Sequence, residues 1–365
     1  MIELPKVPLN RAAHYKVLAA LERAPGTTGK PGRFDDPEVV GGIKGGLGGG
    51  RILQTRSRTG ASWRSFALAG FLVVVVLAQL AVTLWTRGSA PLDCAGGRVR
   101  ITGSTAFEPV LREAGGSYAR TCPGASFVFD LRGSGEGLRD AGPDTLAFSD
   151  GEKPEGYPRL LPRPIAFFLF TLAIDPDAGV QDLSVDQVRR VYRGEIANWR
   201  QVGGADLPVR LVSRNPGSGT RTTFQRRVLA GAREPGTNSD DCRARDPGAP
   251  AGVVRCARDS TQDVLDTIAR TPGALGYSEV SAATARDDVL LVRIGGHRAT
   301  LPEADHGAYP FWETEYAYTT GEPAADSLAA SFLRYLTNQV GADVIRSYGS
   351  RPCGELENPA LCRPA

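Results

Sequence analysis

The pattern of hydrophobic and polar residues from position 98 onward predicts strands that alternate with helices. Short, mainly apolar runs bounded by turn-forming residues predict strands at 98–102, 126–131, 145–150, 163–174, 207–212, 273–279 and 289–294. Longer mixed runs predict helices at 104–122, 133–142, 184–194, 222–230, 259–271 and 324–349. Ser104 or Thr105 should cap the first helix, Ser184 should cap the third, and the last should break near Gly341. This alternation indicates an α/β fold.

A different pattern precedes these elements, at 65–86. The run SFALAGFLVVVVLAQLAVTLWT has no charged residue over 22 positions. A helix of that length rises about 33 Å, which is enough to cross the hydrocarbon core of a bilayer. The run also lacks the polar face that a helix of a soluble protein keeps. We therefore predict an N-terminal transmembrane helix at 65–86.

The flanking charges orient this predicted span. Arg56, Arg58 and Arg64 precede it, and only Arg87 lies close behind it. The positive-inside rule places the N-terminus in the cytoplasm and residues 87–365 outside the cell membrane. Because 64 residues precede the apolar run, we expect an uncleaved single-pass anchor rather than a signal peptide. Residues 1–64, which include a glycine-rich stretch, are interpreted as a flexible cytoplasmic tail, and 87–96 as a tether.

Charge excludes one class of partner for the outer part. Residues 87–365 hold 32 basic and 35 acidic side chains, so this part presents no general basic surface for nucleic acid. Any anion that it binds must be held by local groups. No cofactor is predicted.

All six cysteines follow the predicted span. An even number of cysteines on the outer side predicts disulfides in an oxidising compartment. Of the pairings that six cysteines allow, neighbours in sequence are the simplest prediction: Cys94 with Cys122, Cys242 with Cys256, and Cys353 with Cys362. Their spacings are not those of zinc ligands, and we predict no metal site.

Three predicted strand-to-helix junctions share one chemistry. They are TGSTAFEP (102–109), RGSGEGL (132–138) and RNPGSGTRT (214–222). Each places glycine and a hydroxyl residue at a helix start, where free backbone N–H groups and the helix dipole favour an anion. A single junction of this kind is also typical of an ordinary capped turn. Three of them at the carboxyl ends of strands predict one shared anion site.

Two charged residues refine this prediction. Asp150 ends the strand TLAFSD, and a carboxylate beside an anion is favourable only if the anion carries a proton for it to accept. Arg214 supplies the positive charge in a side chain suited to forked contact with an oxyanion. Arg221 is a second, weaker candidate because it lies in the first turn of a predicted helix.

The segments GSTAFEPV, GSGEG, FSD and RNPGSGT, in this order, resemble the phosphate-binding loops of the periplasmic phosphate-binding proteins that serve ABC importers. SVDQVRRVYRGEIANW, GALGYSE and AYPFWETEYAYT resemble further segments of that family. The resemblance covers roughly 97–347 and implies a two-lobed, type II-like periplasmic-binding-protein fold. Lobe 1 is expected at 97–172 plus 280–347 and lobe 2 at 173–279, followed by a C-terminal disulfide loop at 348–365.

The resemblance also implies a role for each loop. Thr105 and the amide of Ala106 would bind phosphate from the first helix, and Ser134 from the second. Asp150 would accept the phosphate proton, and Arg214 would pair with the anion. Ser218, Gly219 and Thr220 would surround it, and Ser104 and Arg221 are further candidates. Ala106 stands where relatives can have an aromatic residue, a difference that an amide contact tolerates.

These residues favour a monomeric, membrane-anchored protein that captures inorganic phosphate and delivers it to the permease of an ABC importer. A sensor that signals through the span to the tail is the alternative. Sulfate or molybdate binding is opposed mainly by Asp150. An enzyme such as a phosphatase is disfavoured because the outer part has only His297 and His306 and no GxSxG motif.

Overall fold

The computed structural model of the chain describes residues 71–77, 79 and 93–362. The predicted tail at 1–64 lies outside the described residues, as does most of the predicted span, of which residues 71–77 are helical. Across the described ranges, no helix combines the length and the apolar character needed to cross a membrane. The chain divides between Val76 and Leu77 into two compact units. The strands and helices given below belong to the second unit.

Strands and helices alternate through this unit. The strands are β1 Gly97–Gly103, β2 Ala125–Asp130, β3 Thr145–Asp150, β4 Leu160–Ile174, β5 Asp182–Leu183, β6 Arg210–Arg214, β7 Val254–Arg258, β8 Ala274–Glu279, β9 Leu290–Ile294, β10 Trp312–Thr320 and β11 Arg351–Pro352. The helices are α1 Glu108–Thr121, α2 Ser134–Arg139, α3 Val185–Arg193, α4 Gly219–Thr223, α5 Thr261–Ile268, α6 Val280–Thr284, α7 Leu301–Asp305, α8 Leu328–Thr337 and α9 Gln339–Ser347. Every strand predicted from the hydrophobic pattern corresponds to one of these strands.

The long strand β4 links the two lobes of a mixed α/β fold. Along the sheet the strand order is β2-β1-β3-β10-β4-β8-β6-β7. The first part of β4 pairs with β10 up to Leu169, and the rest pairs with β8 from Phe170 onward. One lobe therefore contains β1, β2, β3 and β10, and the other contains β6, β7 and β8. Strand β9 pairs with the end of β4 and with β5.

The strands that matter for the site are buried and mostly parallel. Strand β1 lies parallel to both β2 and β3, and β6 lies parallel to β7 and β8. Every position of β3 is buried, as expected for a strand covered on both faces. In parallel strands the carboxyl ends share one edge, so β1, β2 and β3 present their following loops on the same side.

The first helix does not begin where the sequence predicts. Phe107 is the N-cap residue of α1, and neither Ser104 nor Thr105 caps it. Ser104 Oγ does accept a hydrogen bond from the Phe107 amide at 3.1 Å. Its own proton goes to Asp150, so this hydroxyl joins the turn at residues 104–107 to the end of β3. The helix itself starts only after this turn. The predicted cap is therefore wrong.

Other predicted boundaries agree more closely with the structure. Ser184 caps α3 in a capping box with Gln187. The last helix breaks at Asn338, just before Gly341, which packs so closely on the Tyr335 carbonyl that a Cβ would lie 2.1 Å from the oxygen. Helix α4 starts earlier than predicted, at Gly219, and continues into one π-helical turn at Phe224–Val228.

Disulfides join the three pairs of cysteines that are neighbours in sequence: Cys94 with Cys122, Cys242 with Cys256, and Cys353 with Cys362. The first joins the segment just before β1 to the end of α1. The last closes the C-terminal loop, whose Leu361 carbonyl accepts a hydrogen bond from Thr314 Oγ1 of β10 at 2.6 Å. This loop therefore packs on the strand that lies beside β3.

Candidate functional site

Apart from the weaker candidate Arg221, the residues predicted to bind the anion are all buried, and they lie at or just beyond strand ends or at helix starts. Thr105 and Ala106 follow β1, Ser134 begins α2, Asp150 ends β3, and Arg214 ends β6. Ser218, Gly219 and Thr220 form the cap and first turn of α4. The carboxyl ends of strands from both lobes thus meet in one place.

Asp150 is the point where three of the loops converge. The Ser104 hydroxyl donates to its Oδ1, and Thr220 Oγ1 donates to its Oδ2 at 2.7 Å. Its backbone amide donates to Ser134 Oγ at 3.1 Å. These contacts tie the end of β3 to the loop after β1, to α2 and to α4. Both oxygens of its carboxyl group therefore accept from hydroxyls.

Arg214 is a buried cation that forms no ion pair with any carboxylate of the described residues. Its side chain donates to Thr105 Oγ1 at 2.9 Å, to the Asp259 carbonyl at 2.7 Å and to the Arg258 carbonyl at 3.2 Å. Only 2% of the residue is exposed, and none of the described ion pairs includes it. Burial lowers the pKa of the guanidinium, an effect that the charge of Asp150 opposes. An unpaired buried charge is costly, so this position favours an anionic ligand.

Thr105 and Ser104 connect the two charged residues. They are consecutive in the loop after β1; Thr105 accepts from Arg214, and Ser104 donates to Asp150. The cation and the carboxylate therefore lie on either side of this pair of consecutive residues. An anion held there would have Arg214 as its charge partner and Asp150 as a hydrogen-bond acceptor.

Close backbone approach between the lobes explains the glycines of this region. The Gly135 amide of one lobe donates to the Gly217 carbonyl of the other at 2.9 Å. A Cβ on Gly219 would lie 2.4 Å from Ser134 Oγ and 2.6 Å from the Asp150 carbonyl oxygen. Any larger residue at 219 would force the lobes apart. The GSGT sequence therefore permits a closed cleft as well as donating to an anion.

The start of α4 adds donors to this cleft. Ser218 is the N-cap residue, and its Oγ accepts from the Arg221 amide at 3.3 Å. The amides of Gly219 and Thr220 are in the first turn of the helix, where N–H groups have no carbonyl acceptor within the helix. Together with the helix dipole they make this end of α4 favourable to negative charge.

Arg221, the weaker candidate, lies against a different partner. Its Nη1 donates to the Arg214 carbonyl at 2.7 Å, and its Nε lies 3.7 Å from Oε1 of Glu234. Glu234 is buried and accepts from the Tyr277 hydroxyl at 2.8 Å. Burial raises the pKa of Glu234, and Arg221 opposes this rise. Arg221 thus serves as the charge partner of a buried acid behind β6.

Two buried acids near Asp150 escaped the sequence analysis. Glu315 lies opposite Asp150 in the β10–β3 register. Glu279 ends β8 and accepts from Thr261 Oγ1 at 3.1 Å, and burial raises its pKa to about 7. A usable signal was present in WETEYAYT, where Glu313 and Glu315 occupy alternate positions of a strand and so share a face. In the described part of the chain, no group of three His, Cys, Asp or Glu side chains is placed to hold a metal ion.

The chain is similar to known proteins over most of its described length. Residues 88–340 match the model of the PBP superfamily domain. The phosphate-binding protein PstS of Bacillus subtilis is 31% identical over 270 residues, which cover 72% of this chain and 83% of that protein.

Two solved structures share the fold. One is described as a phosphate ABC transporter substrate-binding protein with bound phosphate from Clostridium perfringens, with a TM-score of 0.59 and 22% identity, covering 70% of this chain and 99% of that one. The other is an ABC-type phosphate transport receptor from Vibrio cholerae, with a TM-score of 0.53 and 18% identity, covering 69% and 99%. By its family model and by its likeness to the Bacillus relative, the chain belongs to the phosphate-binding substrate-binding proteins of ABC importers, which are binding proteins and not enzymes.

Proposed function

We propose that the chain captures inorganic phosphate in the cleft between its lobes and delivers it to an ABC importer. One observation carries this proposal. Arg214 is buried without an ion-pair partner among the described residues, and Asp150, which accepts from hydroxyls, lies on the other side of the consecutive residues Ser104 and Thr105. Arg214 neutralises the anion, and Asp150 accepts its proton. The hydroxyls of Thr105, Ser134 and Ser218 and the amides of Ala106, Gly219 and Thr220 complete the set of donors.

Asp150 gives the site its selectivity under this proposal. A phosphate that retains one proton can donate it to the carboxylate. Sulfate at neutral pH has no proton to donate, so it would place a bare oxygen against a negative charge in a buried site. Discrimination by an unmatched polar group of this kind is strong because the penalty falls only on the wrong ligand.

Calorimetric titration of the full-length chain in detergent with phosphate, sulfate and molybdate tests this function. We expect phosphate to bind tightly and sulfate to bind weakly or not at all, because only phosphate satisfies both Arg214 and Asp150. Sulfate binding of comparable strength would contradict the role given to Asp150. The absence of phosphate binding would contradict the proposed function as a whole.

We further propose that the protein is a monomer anchored in the cell membrane by residues 65–86, with the tail at 1–64 in the cytoplasm and the lobes outside. The uncharged run and its flanking arginines support the anchor. The boundaries of lobe 1 at 97–172 plus 280–347 and lobe 2 at 173–279 are part of this proposal, as is the C-terminal loop at 348–365. Strand β4 stops pairing with β10 at Leu169 and pairs with β8 from Phe170 onward, which supports a passage of the chain between the lobes close to residue 172.

Delivery to an importer is distinguished from sensing by what the full-length chain binds in the membrane. If it feeds an importer, the chain should co-purify with an ABC permease from detergent-solubilised membranes, and deleting residues 1–64 should leave that association intact. If it is a sensor, the association with a regulator should instead depend on the tail. Loss of the permease upon deletion of the tail would count against delivery to an importer.

A further inference from the structure

Glu315 is a buried acid that the proposed function has not yet used. It lies on β10 directly opposite Asp150 in the antiparallel β10–β3 register. Directly opposed residues point to the same face, with Cβ atoms about 5 Å apart. Glu315 is 1% exposed, and neither of its carboxyl oxygens has a hydrogen-bond partner that supplies a proton among the described residues. The group that its carboxyl meets is the carboxyl of Asp150.

Among the residues that the structure describes, none supplies Glu315 with a cation. Asp150 faces it from β3, and Ala166 is its register partner on β4. Along β10, the ionisable side chains within three positions of Glu315 are Glu313, Tyr316 and Tyr318. The nearby cations have other partners, since Arg226 and Arg227 contact Glu313, and Arg214 donates to Thr105 and to two carbonyls.

The two facing carboxyls differ in a way that decides which of them holds a proton. Asp150 accepts from the hydroxyls of Ser104 and Thr220, so each of its carboxyl oxygens already has a proton donor. Glu315 has no such donor. Burial, and then the charge of Asp150, raise the pKa of Glu315 well above its usual range. A proton shared by this pair therefore belongs mainly on Glu315.

We propose that Glu315 is a positioning residue of the anion site, a neutral acid that donates its proton to Asp150 and so sets the pH range over which the site binds phosphate. The proposal rests on the proposed function. As a donor, Glu315 fixes the orientation of the Asp150 carboxylate and keeps its remaining lone pairs directed at the ligand. Nothing in this role requires Glu315 to touch phosphate.

The sign of the pH effect follows from the raised pKa. Below that pKa Glu315 is neutral and supports Asp150. Above it, an ionised Glu315 adds a second negative charge behind the first, and an anion binds less well. Binding of phosphate disfavours the ionised form, so at alkaline pH the complex should take up a proton from the buffer. The affinity of the wild-type chain should then fall as the pH rises through the pKa of Glu315.

The test is calorimetric titration of the full-length chain with inorganic phosphate from about pH 6 to about pH 10, in buffers of different ionisation enthalpy. Glu315→Gln keeps a donor but cannot ionise, and Glu315→Leu keeps the approximate size but has no donor. Comparing each variant with the wild type at the same pH removes the titration of phosphate itself, which is common to all of them.

We expect Glu315→Gln to match the wild type near neutral pH and to bind more tightly at alkaline pH, by up to about tenfold for each pH unit above the pKa of Glu315. Proton uptake through Glu315 should vanish in this variant. Glu315→Leu should bind phosphate about tenfold more weakly near neutral pH, since Asp150 loses a donor.

Two results would overturn the proposal. One is a ratio of Glu315→Gln to wild-type affinity that stays constant across the pH range, with unchanged proton uptake. The other is a Glu315→Leu variant that binds as tightly as the wild type near neutral pH. Should the leucine variant fail to fold, the pH dependence of the glutamine variant decides alone. A wild-type chain that binds no phosphate at any pH would instead remove the proposed function, a result visible before any variant is made.

Discussion

Replacing Arg214 with alanine is expected to remove most of the affinity for phosphate, by about 2–5 kcal/mol or roughly 30-fold to several thousandfold. Arg214 is almost wholly buried, and none of the described ion pairs includes it. The anion would be its charge partner, and without the arginine the anion would be buried beside Asp150 with no cation. Calorimetric titration with phosphate measures the effect directly.

Thermal unfolding provides a second measurement that separates this role from a structural one. Because a buried, unpaired cation destabilises the ligand-free protein, Arg214→Ala should unfold at about the same temperature as the wild type, or higher, when phosphate is absent. Phosphate should raise the unfolding temperature of the wild type and not that of the variant. Arg214→Lys keeps the charge but loses the forked geometry. Phosphate should raise its unfolding temperature by less than that of the wild type and by more than that of Arg214→Ala.

The matched control is Arg200→Ala. Arg200 is an exposed arginine whose Nη1 lies 3.2 Å from Asp206, with 67% of its side chain accessible. Removing an exposed ion pair changes stability by little and should leave phosphate affinity unchanged. Equal affinity in the wild type and in Arg214→Ala would mean that Arg214 lies outside the site.

Much of the fold follows from local sequence. The strands that form β1, β3 and β8 are short apolar runs closed by glycine or a polar residue, and their pattern needs no knowledge of their neighbours. The same holds for Ser184, whose capping box is complete within four residues. The prediction of a candidate anion site rests on a related kind of signal. Its residues occupy helix starts or the strand ends beside them, and these places have a recognisable sequence whether or not they converge.

What the sequence missed depends on contacts between distant segments. Ser104 looks like a cap, but Asp150, 46 residues later, takes its proton. Arg221 lies beside an anion loop, but its guanidinium lies near Glu234. Glu315 becomes important only because the register of β10 places it opposite Asp150. In each case the competing partner comes from another element, and no local pattern specifies which element will be adjacent.

Replacing Asp150 with asparagine should change which anion binds rather than simply weaken binding. Asparagine has nearly the same shape, and the hydroxyls of Ser104 and Thr220 can turn to meet either an amide oxygen or an amide nitrogen. What is lost is the negative charge that opposes a fully deprotonated oxyanion. We expect the ratio of phosphate affinity to sulfate affinity to fall by about 100-fold or more, mostly through a gain in sulfate binding.

This outcome separates the charge of Asp150 from its place in the hydrogen-bond network. If Asp150 only held the loops together, asparagine would preserve the network, and phosphate and sulfate affinities would change by the same factor. If its charge excludes sulfate, the two affinities must change by different factors. Competition calorimetry with both anions measures the ratio, and Asp206→Asn, at a carboxylate whose side chain is 69% exposed, should leave it unaltered. An unchanged ratio in Asp150→Asn would mean that other groups of the cleft give the site its selectivity, because every hydroxyl donor would still be in place.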